Sequence, residues 1–65
     1  MSDFLIGAVT VINKDLGVGT IMDENCQDIP FFVKDAPHNI ELNSRVNFEI
    51  ILGEAGLMAS NIKLI

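Results

Sequence analysis

The clearest hydrophobic rhythm in the chain runs from Val46 to Gly53, where Val46, Phe48, Ile50 and Leu52 alternate with Asn47, Glu49, Ile51 and Gly53. A period of two sends successive side chains to opposite faces of a strand. Leu57 to Leu64 alternates again, with Met58, Ser60, Ile62 and Leu64 interleaving Leu57, Ala59, Asn61 and Lys63. Between the two runs, Gly53-Glu54-Ala55-Gly56 supplies glycines for a tight reversal. Three further segments rich in Ile, Val and Phe, residues that fit a pleated half-buried surface, precede this pair. The first spans roughly Phe4 to Asn13, and its Gly7 predicts a bend or bulge. Lys14-Asp15-Leu16-Gly17 then turns the chain into Val18 to Asp23. Ile29 to Lys34 is the third, where Pro30 points to an edge strand or a bulge. No window of about ten residues holds a helical period, and Ala36 to Leu42 has room for one short helical turn at most.

Five short antiparallel strands in 65 residues are too few for a two-layer sandwich. Curling into a small closed barrel would hide both sheet edges and give the strands a shared interior. The expectation is one all-β domain, residues 1–65, folded as a five-stranded antiparallel barrel. A domain this small buries roughly 60% of the surface its unfolded chain exposes. Cys26 is the one cysteine, so no internal disulfide can reinforce the core.

Composition changes the picture mainly by exclusion. An apolar share of 49% argues against disorder, and a net charge of -5 excludes a strongly basic nucleic-acid clamp. One Cys and one His cannot supply four zinc ligands, so neither a metal nor another cofactor is expected. Asp3 stands where a secretory signal would carry Lys or Arg, and the apolar run after it is far short of the ~20 residues a membrane span needs. A cytoplasmic location, with no membrane partner, is the expectation.

No residue pattern points to catalysis. Gly17-Val18-Gly19 lacks the third glycine and the helix of a dinucleotide loop, and reads instead as a turn glycine followed by a close-packing one. Asp23, Asn25 and Asp28 gather oxygens in one loop, but Gln27 and Asp28 occupy the last two places of the calcium-loop pattern. His38 follows Pro37 in a polar loop without a partner, and Cys26 lies in an acidic loop between Asn25 and Gln27 where no reactive role is expected. The chain is not expected to be an enzyme.

Gly7-Ala8-Val9, Asn13, Gly17-Val18-Gly19-Thr20-Ile21, Val46-Asn47-Phe48-Glu49, Gly53, Gly56 and Ala59-Ser60-Asn61-Ile62 stand in an order and spacing that resembles a bacterial cold-shock domain. The resemblance covers nearly the whole chain, from about Ile6 to Leu64. It implies a small five-stranded antiparallel barrel of the oligonucleotide-binding (OB) type, in agreement with the strand reading. It further implies passive binding of single-stranded RNA or DNA through the face of the second and third strands. On that face the matching positions are Val11, Asn13, Lys14, Val18, Thr20, Phe31, Phe32 and Lys34.

The same comparison exposes what has been replaced. The family's stacking rings at the end of the first strand are Val11 and Ile12 here, and those around the second-strand glycine are Val18 and Thr20. An ungapped third strand keeps a ring at Phe32 alone; with Pro30 as an insertion, Phe31 and Phe32 both take ring-bearing places. Lysines that the family uses near phosphates fall at Ala8, Thr10 and Leu16. A base stacked on a protein ring is worth roughly 1–3 kcal/mol, so losing four stacks at about 1 kcal/mol each costs about a thousandfold in affinity. The expectation is weak single-stranded binding that uses Phe31, Phe32, Lys14 and Lys34. The alternative is a diverged barrel that has lost nucleic acid and uses the aliphatic face of strands one to three for a protein partner or a homodimer. The blander reading of Val11, Ile12 and Val18 is burial beneath a loop.

Overall fold

The structure, a computed structural model, describes residues 4–53 and 56–65. Five strands follow in chain order: β1 (Leu5–Asn13), β2 (Val18–Asp23), β3 (Asp28–Phe32), β4 (Arg45–Gly53) and β5 (Gly56–Leu64). The third strand is shorter than the sequence predicts. Val33 to Asp35 form a 3-10 turn, in which Ala36 donates its backbone N–H to the Val33 carbonyl at 3.1 Å and the chain leaves the sheet toward Pro37. That turn precedes Ala36 to Leu42, the segment with room for one helical turn at most, which holds only non-helical turns. The reversal expected at Gly53 to Gly56 has Gly53 paired with Gly56, while Glu54 and Ala55 lie outside the described residues.

All pairings are antiparallel, in the order β3-β2-β1-β4-β5. The expectation of a closed barrel is therefore corrected: the sheet is open. Its end strands β3 and β5 come within 8 Å without pairing. Pro30 supplies a physical reason. Val33 N–H bonds the Gly17 carbonyl at 2.9 Å and Asp23 N–H bonds the Gln27 carbonyl at 3.0 Å, one at each end of the β2–β3 ladder. Antiparallel pairs alternate, so residues 29 and 31 face β2 while the backbone groups of Asp28, Pro30 and Phe32 face outward. The outer edge that would have to pair with β5 thus lacks a donor at its central residue.

Two bulges set which side chains reach the core. In β1, Val9 pairs with Ile21 but Val11 pairs with Thr20, leaving Thr10 as the extra residue. Gly7 and Val9 face inward before it; afterwards Ile12 packs on the core while Val11 and Asn13 turn outward. The irregularity expected at Gly7 thus falls three residues later. Gly7 itself is regular, pairing with Asp23 on one side and Val46 on the other. Its missing side chain answers to space, since a Cβ there would lie 2.5 Å from the Met22 carbonyl oxygen. In β5, Asn47 pairs with Lys63 and Glu49 with Ser60, so Phe48 faces two residues. Asn61 sits at that bulge with φ 50°. The extra residue explains why Ala59 and Ile62, three apart, both point inward. The core is Val9, Ile21, Ile29, Phe31, Ile40, Val46, Phe48, Ala59 and Ile62.

Candidate nucleic-acid or protein interface

The outer face of β1 to β3 is assembled from register. Val11, Thr20 and Pro30 stand in one cross-strand row, Asn13, Val18 and Phe32 in the next, and Ala8, Met22 and Asp28 in a third. Five of the expected site residues, Val11, Asn13, Val18, Thr20 and Phe32, therefore share this surface. Val11 is 50% exposed and Phe32 41% exposed, while Val18 and Thr20 are half-buried. Burial of Val11 beneath a loop does not occur; the bulge at Thr10 turns it to solvent.

Phe31 is placed elsewhere. It is 0% exposed, with its ring over Gly19, where a Cβ would lie 2.5 Å from the Phe31 Cζ. Gly19 is thus the close-packing glycine that its sequence context suggests. Pro30 is no insertion, because β2 and β3 pair without a break from Val18–Phe32 to Met22–Asp28. The face presents one aromatic ring among its paired positions, Phe32.

The polar candidates divide. Lys34 follows the end of β3 and holds its ammonium 5.6 Å from the centroid of the Phe32 ring, within the range of a cation–π contact. Asn13 is committed to its own turn: its Oδ1 accepts the Leu16 N–H at 3.1 Å and its carbonyl accepts the Gly17 N–H at 2.8 Å. Lys14 is exposed in that turn. Asp28 lies on the same face, in the row of Met22.

The acidic loop between β2 and β3 is held by hydrogen bonds to its own backbone. Asp23, buried, accepts the N–H groups of Asn25 and Gln27 through one carboxylate oxygen, each at 2.9 Å. Cys26 is exposed and unpaired beside it, and His38 is exposed in the loop after β3. Among the described residues no group of three His, Cys, Asp or Glu side chains could hold a metal. No helix among them is long and apolar enough to cross a membrane.

A groove of about 450 Å³ was missed in the sequence. It lies where the end of β3 meets the β4–β5 hairpin, between Phe32, Lys34 and Asp35 on one side and Ile51, Met58 and Ala59 on the other. A signal for it existed in the unbroken run Ile50-Ile51-Leu52, where period two predicts a polar residue in the middle.

No family model matches the sequence, and no curated protein matches it. Among solved structures, the chain is similar to a Drosophila Unr chain described as CSD456, with a TM-score of 0.82 and 22% identity. The match covers 98% of this chain and 27% of that one. This likeness shows a shared fold of the cold-shock, OB-like type.

Proposed function

We propose that the chain is a diverged cold-shock-like domain that binds protein, rather than nucleic acid, through the outer face of β1 to β3. The observation that carries this reading is the composition of that face: Val11, Val18, Thr20, Met22 and Pro30 surround a single exposed ring. Aliphatic surface gains free energy by leaving water in contact with other apolar surface, whereas a base needs a ring or a cation beneath it. A contiguous exposed apolar patch on a small domain is the usual mark of a protein interface. The proposal keeps the chain in a reducing, cytoplasmic setting, in keeping with its exposed unpaired Cys26.

Residual nucleic-acid contact is the second reading, favoured by Lys34 lying over the exposed Phe32 ring. Magnitude weighs against it. One stack supplies roughly 1–3 kcal/mol, and even millimolar affinity requires about 4.1. Titrating oligo-dT and oligo-U at low salt, with backbone amide shifts as readout, is expected to leave Val11, Val18, Thr20 and Phe32 unmoved below millimolar ligand. Saturating shifts at micromolar ligand would overturn the proposal. A photo-crosslinking residue placed at Val11, exposed to extract of the source cells, is expected to yield a discrete protein adduct that Val18→Asp removes. Adducts to RNA would overturn it as well.

A further inference from the structure

Apart from that face, β1 leaves part of its second edge open. Val9 still has partners there: its N–H donates to the Ser44 carbonyl at 3.0 Å, and its carbonyl accepts the Asn43 N–H at 2.8 Å. Past the bulge at Thr10 this changes. Gly19 and Ile21 of β2 bond toward Phe31 and Ile29, so Val18 and Thr20 bond the other way, toward Asn13 and Val11. Ile12, between those two, therefore aims its N–H and carbonyl away from β2, and pairing with β4 has already ended at Ala8–Arg45. Among the described residues no backbone or side-chain group bonds to either one. The loop that bonds Val9 on this side runs back through Leu42 to Ile40. With Ile12 and the β1–β2 turn it lines a groove of about 500 Å³. Ile12 and Ile40 are the most buried residues of that lining, while Leu42 is 58% exposed.

We propose that this groove takes an extended segment of a partner protein, which adds a short strand to β1 at Ile12 and carries a lysine or arginine. An added strand lies about 4.8 Å from its neighbour, offers the Ile12 pair both an acceptor and a donor, and sends alternate side chains to opposite faces. One set of those side chains packs on Ile12, Ile40 and Leu42. An open strand edge is a template for such pairing, and here the apolar lining adds burial to the backbone bonds.

Charge gives the occupant its sign. The ionisable side chains that line the groove are Lys14, Asp15 and Glu41, two acids against one base. Asp3 and Glu54, outside the described residues, are acids as well, and the chain as a whole carries -5. A cationic side chain is favoured beside Asp15 and Glu41. A phosphate, or a second copy of this acidic chain, brings more of the sign already there.

The test titrates blocked peptides of alternating valine and lysine into the full chain, with backbone amide shifts and amide hydrogen exchange as readouts. At saturation the Ile12 amide is expected to shift downfield and to exchange at least tenfold more slowly. Methylating the peptide's backbone nitrogens is expected to weaken binding at least tenfold, and glutamate in place of lysine about fivefold. Glu41→Lys, at an exposed position, is expected to leave the thermal melt in place and to reverse the preference, so that the glutamate peptide binds more tightly. An Ile12 amide unmoved at millimolar peptide overturns the proposal, as does equal binding of the methylated peptide. A glutamate peptide that binds the parent chain as tightly as the lysine one overturns it too. Ile12 protection that grows with protein concentration in the absence of peptide would assign the edge to a second copy and overturn it as well. Shifts confined to Val11, Val18, Thr20 and Phe32 would overturn this assignment while leaving the outer face an interface.

Discussion

Phe31 and Phe32 are neighbours in sequence with opposite surroundings, because adjacent residues of a strand point to opposite faces. Phe31 meets Gly19 across the core, and Phe32 meets Val18 on the outer surface beneath the Lys34 ammonium. Truncating the buried ring removes its burial energy and leaves a cavity, so Phe31→Ala is expected to cost about 3–5 kcal/mol. For a domain of this size that approaches the whole stability, and urea denaturation should find the variant largely unfolded before denaturant is added. Phe32→Ala loses a half-exposed ring and a cation–π contact of about 0.5–1 kcal/mol, so its midpoint should stay close to the parent. Comparable losses at both positions would contradict the placement. The sequence showed two adjacent rings and left their facing open, since that depends on strand phase relative to the ladder. The glycine opposite Phe31 was the one local clue to which ring is buried.

At the scale of elements, the strands were legible and their irregularities were not. Runs of Ile, Val and Phe between turn residues located all five, and Pro30 marked β3 as an edge or a bulge. Closure was misjudged, because counting strands says nothing about which backbone groups face the seam. The bulges at Thr10 and Asn61 carry no composition of their own and emerge only when the two partner strands are aligned. Asn61 holds a left-handed φ of 50° and its amide Nδ2 donates to the Glu49 carboxylate at 2.8 Å across the same hairpin. Left-handed backbone costs most side chains about 1–2 kcal/mol and costs glycine nothing. Asn61→Val is therefore expected to lower stability by about that amount, and Asn61→Gly to stay within about 0.5 kcal/mol of the parent in a thermal melt. Equal effects of the two substitutions would mean that the bulge lies elsewhere.

For the whole molecule, the two classes of function call for opposite responses to salt. The net charge of -5 was legible from composition and excludes little by itself, because charges act over the distance that the solvent allows. At about 0.01 M salt the screening length is roughly 30 Å, comparable to the 33 Å longest dimension of the domain, so one copy feels nearly every charge on another. At about 0.15 M it falls to roughly 8 Å, and only charges beside the contact itself remain in reach. Association of two copies should therefore tighten as salt rises over that range. Binding of single-stranded nucleic acid runs the other way, because each phosphate neutralised releases counterions and gives a slope of about -0.7 in log affinity against log salt. Contacts by Lys14 and Lys34 together would lose roughly 25-fold in affinity for a tenfold rise in salt. Light scattering of the chain alone and fluorescence anisotropy of a labelled oligo-dT, each followed across that range, measure the two slopes. A dimer that strengthens with salt beside an oligonucleotide signal that stays flat supports apolar protein contact as the use of this sheet. An oligonucleotide affinity that is measurable at low salt and falls with that slope would return the domain to the nucleic-acid binders it resembles.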